Sequence, residues 1–336
     1  MKENNFLKNK SLLITGGTGS FGKAFLETIL HKYKGIKKII IFSRDELKQS
    51  ELEQMYPIHK YKNLRFFLGD VRDKDRVFRA LNDVDIVVHA AALKQVPKAE
   101  YDPFEYIKTN IIGAQNLVEG CLEKKVSNVI ALSTDKAVSP INLYGATKLC
   151  SDKLFLSANN IVGNKKIKFS VVRYGNVNGS RGSVIPAFLS QKKNGYLNIT
   201  DKKMTRFSME LKDSVSMVLW SIQKNLGGEV FIPKLPSYKI LDLAKAIDEN
   251  IKIKISGIRA GEKISEELIT PAESMNCYDL GKYYVLLGGE NDKVRNFYKK
   301  KYSKVSKNFS YTSSNNNNFL NVKQLKQVIN NFINNY

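Results

Sequence analysis

Cysteine is scarce in this 336-residue chain, three in all, and Cys121, Cys150 and Cys277 stand far apart with no paired spacing. That pattern excludes a disulfide framework or a zinc site and leaves reduced, packed thiols as the expectation. Histidine is equally scarce. His31, His59 and His89 show no metal-ligand spacing, so no bound metal is expected, and His89, at a strand end, reads as structural. No run approaches the roughly 18 apolar residues that a membrane span requires, and the opening Met1-Lys2-Glu3-Asn4-Asn5-Phe6 resembles no secretory signal. A cytoplasmic protein without a membrane partner is expected.

Acid is also short. Against 54 Lys and Arg there are 32 Asp and Glu, a formal net charge of +22. Such a surplus suits a nucleic-acid binder, a protein drawn to anionic small molecules, or a lysine-rich background composition. The distribution decides among them: basic residues are spread along the whole chain, and the one denser run, Lys299-Lys300-Lys301, does not alternate with aromatics. No specific nucleic-acid partner is expected, since net charge speaks to nonspecific binding and not to fold. With 43% hydrophobic residues the chain can bury a full core, enough for one large domain and a smaller appendage.

From Ser11 to about Arg173, short apolar runs alternate with longer helical patterns. The runs centred on Leu12-Leu13-Ile14, Ile39-Ile40-Ile41-Phe42, Leu64 to Leu68, Ile86-Val87-Val88, Val129 to Leu132 and Phe169 to Val172 predict six strands. Helices predicted over 23–33 and 106–124 are long enough to cross over a parallel sheet. The fold class is therefore α/β, a Rossmann-type doubly wound parallel sheet, with a smaller C-terminal substrate-binding lobe where Pro and Gly punctuation begins. Boundaries are expected at 1–174, 175–290 and 291–336. In the last segment, Ser313-Ser314-Asn315-Asn316-Asn317-Asn318 reads as a flexible connector to a terminal helix over 322–333.

Directly after the first strand comes Thr15-Gly16-Gly17-Thr18-Gly19-Ser20-Phe21-Gly22. Glycines at this spacing between strand and helix let the turn tighten and let a pyrophosphate approach free amides at a positive helix end. An NAD site would place an acid at the end of the second strand, to hold the ribose 2′-hydroxyl. Here that strand ends Ser43-Arg44, partners for a 2′-phosphate, so NADP is preferred, with Asp45 and Glu46 following at once. Asp70-Val71 could meet the adenine edge, and Ala90-Ala91-Ala92 leaves room for the cofactor after the fourth strand.

The fifth strand ends Leu132-Ser133-Thr134-Asp135-Lys136, and a helix then carries Tyr144-Gly145-Ala146-Thr147-Lys148. Tyr144 and Lys148, four apart, project from one helical face. A nearby ammonium and a nicotinamide cation would favour the phenolate, so this pair can remove a hydroxyl proton during hydride transfer.

Together with Ala92-Leu93-Lys94-Gln95-Val96-Pro97 and Arg173-Tyr174-Gly175-Asn176-Val177, these segments resemble the extended short-chain dehydrogenases. More narrowly, they are similar to the inverting UDP-N-acetylglucosamine 4,6-dehydratases that open pseudaminic acid synthesis for flagellin. The likeness runs from about Lys10 to Leu287. It implies an NADP-dependent lyase acting on UDP-N-acetylglucosamine, in a closed homo-oligomer of up to six subunits. A simple epimerase or a retaining, capsule-type dehydratase is the nearest alternative; some of the latter place Met where Tyr144 stands. A catalytically idle NADP-binding scaffold, a different class altogether, would have no use for both Tyr144 and Lys148.

The resemblance also implies roles. Asp135 assists loss of the C6 hydroxyl, Lys136 takes the C5 proton, Tyr144 oxidises at C4 with Lys148, and Thr134 supports them. To act as a base Lys136 must be neutral, and a pKa lowered by about 3 units, costing about 4 kcal/mol, is expected from burial beside Lys148 and the oxidised cofactor. Cofactor contacts are implied at Gly16, Thr18, Gly19, Ser20, Phe21 and Gly22, then at Ser43, Arg44, Asp45, Glu46, Leu47 and Lys48. They continue through Asp70, Val71, Ala90, Ala91, Ala92, Leu132 and Ser133 to Val177, Asn178, Gly179, Ser180 and Arg181. For the sugar nucleotide, Lys94, Ser133, Thr134, Asn176 and Glu262 are implied, with Arg206 and Arg259 clamping the pyrophosphate.

Overall fold

The computed structural model describes residues 5–180, 182–289 and 291–335. The six apolar runs form strands β1 (Ser11–Thr15), β2 (Lys38–Ser43), β3 (Leu64–Leu68), β4 (Ile86–His89), β5 (Asn128–Thr134) and β6 (Lys168–Tyr174). All six are parallel, in the order β3-β2-β1-β4-β5-β6, with Leu13 of β1 opposite Ile40 on one side and Val87 on the other. Helices cover both faces, so β1 is buried at every position and alternation has no place in its sequence. The strand order reverses between β1 and β4, and a crevice opens there at the carboxyl ends of the strands.

Strands β7 (Tyr196–Ile199) and β8 (Thr205–Phe207) leave this sheet, and β9 (Glu229–Pro233) returns to lie parallel to β6. Next come β10 (Ser237–Lys239), β11 (Lys252–Ile255), β12 (Glu267–Ile269), β13 (Cys277–Asp279), β14 (Tyr283–Leu287), β15 (Ser303–Lys304) and β16 (Tyr311–Thr312). Strands β14, β13 and β15 continue the sheet antiparallel beyond β9, to ten strands. The lobe expected over 175–290 is thus interleaved with the sheet. It is built on the pairs β8 with β10, β7 with β11 and β12 with β16. Its separate core of Ile185, Phe188, Leu197, Met204 and Leu243 is completed by Leu325 and Ile329 of the terminal helix Val322–Asn335.

Two expectations are corrected here. Residues 313–318 are not a loose connector: Ser313 is fully buried and exchanges bonds with the backbone of Glu266, at 2.8 and 2.9 Å. Asn316 donates to the Leu235 carbonyl at 2.6 Å and to Ser237 Oγ at 2.9 Å. A polar run reads as disordered by composition, yet each of these polar groups finds a partner, so the segment straps the lobe. The thiols also differ. Cys121 and Cys277 are buried, whereas Cys150 is exposed, on the outward face of the helix Leu143–Ser157 whose inner face carries Tyr144, Thr147, Lys148 and Ser151. Among the described residues no helix is long and apolar enough to cross a membrane.

Candidate active site

The crevice is a half-open cleft of about 580 Å³ at the carboxyl ends of β1, β2, β4, β5 and β6. Its floor begins at the glycine turn. Gly16 has φ +66° and its amide donates to the Phe42 carbonyl at 2.9 Å, which folds the chain back onto β2. The helix Ser20–Lys32 then starts so close to this turn that a Cβ on Gly22 would lie 2.4 Å from Gly17 Cα. Gly19 caps that helix without a side-chain bond, so the first-turn amides face the cleft. A dinucleotide fits these residues: the turn leaves bare backbone and a positive helix end where a pyrophosphate would lie. In the cleft wall, Thr109 Oγ1, Asp135 Oδ2, Asn176 Oδ1 and Ser183 Oγ are buried with no protein partner. Polar atoms so placed fit a polar ligand.

At the end of β2, Ser43, Arg44, Asp45 and Lys48 line the wall. Asp45 accepts from the Lys48 amide at 3.0 Å, capping the helix Glu46–Met55, and pairs with the Lys48 ammonium. Arg44 is half exposed, 3.8 Å from Asp70. Burial pushes Asp70 up, but bonds from Arg72 at 2.7 and 2.9 Å outweigh it and hold the carboxyl below its usual range.

The opposite wall carries the reactive groups. Thr134 ends β5 and caps a short 3-10 turn, Asp135–Ala137, accepting from the Lys136 amide at 3.3 Å and donating to Asp135 Oδ1 at 2.9 Å. Asn142 starts the next helix, accepting from the Gly145 amide at 2.7 Å and donating to the Gly261 carbonyl at 2.8 Å. That helix presents Tyr144 and Lys148 to the cleft, and Lys148 Nζ donates to the Leu132 carbonyl at 2.8 Å. Behind them Ser133 donates to Asp152 at 2.5 Å. The helix predicted over 106–124 is broken by a π-helical turn, Ile107–Ile112. The turn aims Asn110 inward, where it brackets the backbone of Leu93 at 2.9 Å on both sides and reaches Thr147 at 3.0 Å.

Burial pushes the Tyr144 hydroxyl up to about 12, with Lys136 and Thr134 pulling it down. It also lowers Lys148, partly offset by Asp152, and raises Asp135. Lys136 corrects the sequence reading. Burial disfavours its charge, but Asp135 at 3.1 Å and Glu266 at 3.2 Å outweigh that, and the ammonium is held above its ordinary range, not below it. The expectation counted one carboxylate beside Lys136; the fold supplies two.

Most of the residues singled out in the sequence meet in this cleft. Gly16, Thr18, Gly19, Ser20, Phe21 and Gly22 lie along its floor, and Val71, Ala90, Ala91, Ala92 and Lys94 along one side. Leu132, Ser133, Thr134, Asp135 and Lys136 meet Tyr144, Lys148, Asn176, Val177 and Ser180 on the other. Glu46, Leu47, Asn178 and Gly179 are not in its wall, and Arg181 lies outside the described residues. Nor are Arg206, Arg259 and Glu262. The Arg206 guanidinium turns into the lobe, to the carbonyls of Thr205 and Ile264 at 2.7 and 3.1 Å and to Glu266 at 3.6 Å. Arg259 stands exposed, 3.9 Å from Glu262. Sequence reasoning missed Thr109, Asn110, Asp152, Ser183 and Glu266. Only Asn110 carried a hint, a polar residue directly before Ile111-Ile112 within the predicted helix.

Comparison with known proteins agrees with this geometry. The sequence model described as polysaccharide biosynthesis protein matches residues 12–287. A UDP-N-acetylglucosamine 4,6-dehydratase (inverting) from Campylobacter jejuni subsp. jejuni serotype O:23/36 (strain 81-176) is 52% identical over 329 residues, 96% of this chain and 97% of the relative. A UDP-glucose 4-epimerase from Rickettsia bellii (strain OSU 85-389) is 43% identical over 329 residues, covering 96% and 95%. Among solved structures, Pen from Bacillus thuringiensis superposes with a TM-score of 0.87 at 37% identity, covering 97% of this chain and 98% of that one.

Proposed function

We infer the reaction of this chain from its membership: it belongs to the polysaccharide biosynthesis protein family, and its Campylobacter jejuni relative is an inverting dehydratase. We propose that it removes water across C5 and C6 of UDP-N-acetylglucosamine and inverts C5, giving UDP-2-acetamido-2,6-dideoxy-β-L-arabino-hex-4-ulose. The observation that carries this reading is Asp135 and Lys136, side by side on the turn after β5 and in one cleft wall with Tyr144 and Lys148. A C4 epimerase has no use for an acid and an amine so paired.

The glycine turn, Ser43, Arg44, Lys48, Asp70 and Val71 would hold a nicotinamide dinucleotide. When bound, it supplies the hydride acceptor for C4 and the donor for C6, and its positive ring favours the Tyr144 phenolate. NADP is the preferred form, because the Asp45 carboxylate is already spent on the Lys48 amide and ammonium, leaving Ser43 and Arg44 at the ribose.

Tyr144 takes the C4 hydroxyl proton, and the C4 ketone acidifies the C5 proton. Neutral Lys136 removes that proton while protonated Asp135 gives its own to the departing C6 hydroxyl, which leaves as water. Tyr144 then returns its proton to C5 from the other face, which inverts the centre. Protons balance over the cycle. The product would enter pseudaminic acid synthesis for flagellin or surface glycosylation, in the cytoplasm, and the working enzyme would be a closed homo-oligomer of up to six subunits.

Purified protein with UDP-N-acetylglucosamine in deuterated water tests the reaction. NMR should show a 6-methyl, 4-keto product with one deuteron at an inverted C5. A product that keeps its C6 hydroxyl would favour the epimerase reading and sink this one.

A further inference from the structure

Glu266 has no part in the reaction just described, yet one oxygen of its buried carboxylate is held by two cations. The residue is 2% exposed and stands just before β12. Its backbone is clamped by Ser313, whose hydroxyl accepts from the Glu266 amide at 2.9 Å. Oxygen Oε1 lies 3.2 Å from Lys136 Nζ and 3.6 Å from Arg206 Nε, and Oε2 is buried with no partner. Lys136 Nζ therefore sits between two buried carboxylates, Asp135 at 3.1 Å being the other. The two differ in what they face. Asp135 lines the cleft, whereas Glu266 stays behind Lys136, out of the wall, against Arg206.

We propose that Glu266, backed by Arg206 at 3.6 Å, is a positioning residue that orients Lys136 and directs its resting proton to Asp135. The inference rests on the dehydratase reading above. Counted together, Asp135, Glu266, Lys136 and Arg206 carry two negative and two positive charges. Moving one proton from Lys136 Nζ to an Asp135 oxygen leaves the Glu266 with Arg206 ion pair intact and makes the amine and the carboxylic acid that elimination needs. Nothing is exchanged with solvent. Elimination then returns a proton to Lys136 and takes one from Asp135, so the pair ends as it rested, with its single shared proton on the amine. Had Glu266 taken the proton instead, Asp135 would remain a carboxylate with nothing to give the leaving hydroxyl, and Arg206 would lose its partner.

The electrostatics run the same way. Burial raises Asp135, while at Glu266 it is outweighed by Lys136 and Arg206, which hold that carboxyl below its ordinary range. The other charged or titratable groups felt here are Tyr144 and Arg206 at Lys136, Lys263 at Glu266, the buried Tyr238 opposite Arg206, which feels all four members of the cluster, and Lys94, whose charge burial and Lys136 both disfavour.

Glu266→Gln keeps the shape and removes the charge. In full-length enzyme, the basic limb of the kcat profile should move lower by about one pH unit, a tenfold loss above it, with KM within about twofold. The double variant Glu266→Gln with Arg206→Gln, neutral again, should bring the limb back toward the parental position. A uniform rate loss at every pH would mark a purely structural role and overturn the inference. So would a tenfold rise in KM at unchanged kcat, which would return Arg206 to substrate binding and place Glu266 there with it. A second measurement needs no turnover: NMR titration of the Lys136 ammonium, assigned by its loss in Lys136→Arg, should show a lower pKa in Glu266→Gln. An unchanged value overturns the inference by itself. Parental enzyme that forms no dehydrated product, with the titration shift present, would instead sink the dehydratase reading alone.

Discussion

A Cβ placed on Gly145 would lie 2.1 Å from the carbonyl oxygen of Lys136. The helix that presents Tyr144 thus rests its first turn on the backbone of the turn that presents the Asp135 and Lys136 side chains. The two halves of the chemistry are held at a spacing no other residue type permits. Gly145→Ala must push them apart, and backbone has little room to give. A loss of about 3 kcal/mol is expected from such overpacking. The thermal midpoint should fall by several degrees and dehydration by more than tenfold, read by calorimetry and product NMR. A variant as active and stable as the parent would show that the contact is not binding on the site.

At the cofactor end, Arg44 is half exposed and only loosely engaged with Asp70, at 3.8 Å. Its guanidinium is available to a 2′-phosphate. Arg44→Ala should weaken NADP binding by tenfold or more, about 1.5 kcal/mol for a lost charge-assisted bond, and NAD binding by less than about threefold. Calorimetric titration with both dinucleotides measures the ratio. An equal effect on the two would remove the structural reason for preferring NADP.

The parts legible in the sequence were those where local pattern and tertiary role coincide. The inner strands announced themselves because a strand covered on both faces, such as β1, is apolar throughout, and the glycine turn and Tyr144 with Lys148 lie within one turn or helix face. Glu266 was illegible for the opposite reason: it is 130 residues beyond Lys136 in the sequence, and only tertiary contacts, Lys263 with Val138, Ser139 with Glu267 and the strap through Ser313 among them, bring the two together. With it went the charge state of Lys136, which depends on a carboxylate no local pattern reveals. Arg206 was misplaced likewise, since its motif gives a cation but not the side to which it turns. The terminal strap failed on composition, because asparagine and serine serve disorder and backbone capping equally well.

His89 couples stability to pH. It is 1% exposed, bonded to Thr15 at 2.7 Å, and burial, with Lys148 nearby, pushes its ring down to about 3. The unfolded chain would titrate near 6.5, so between these values the unfolded state binds the extra proton. Stability from the neutral ring is fully present above pH 6.5 and is lost as the pH falls through the window. The loss is about 2 kcal/mol by pH 5. Denaturant titrations at pH 7 and pH 5 should show it, and His89→Gln should flatten the slope even though the variant is less stable overall. A slope that survives the substitution would assign the acid sensitivity to other groups.

The terminal helix touches the loop behind the cleft wall through the Phe332 ring. Gly179 has φ +71°, and a Cβ there would lie 2.3 Å from Phe332 Cδ2, so the ring presses on bare backbone. Around Gly179, the loop carries Val177, Ser180, Gly182 and Ser183 into the cleft wall. Helix Val322–Asn335 is meanwhile anchored in the lobe by Leu325 and Ile329. Phe332→Ala should free the loop without dislodging the helix, because those anchors remain. Dinucleotide affinity should drop by about tenfold, about 1.4 kcal/mol, with the thermal midpoint of the unliganded protein nearly unchanged. Leu325→Ala, by contrast, should cost about 2 to 4 kcal/mol of stability as a core truncation. If Phe332→Ala binds dinucleotide like the parent while Leu325→Ala unfolds early, the helix completes the lobe core and has no hold on the loop.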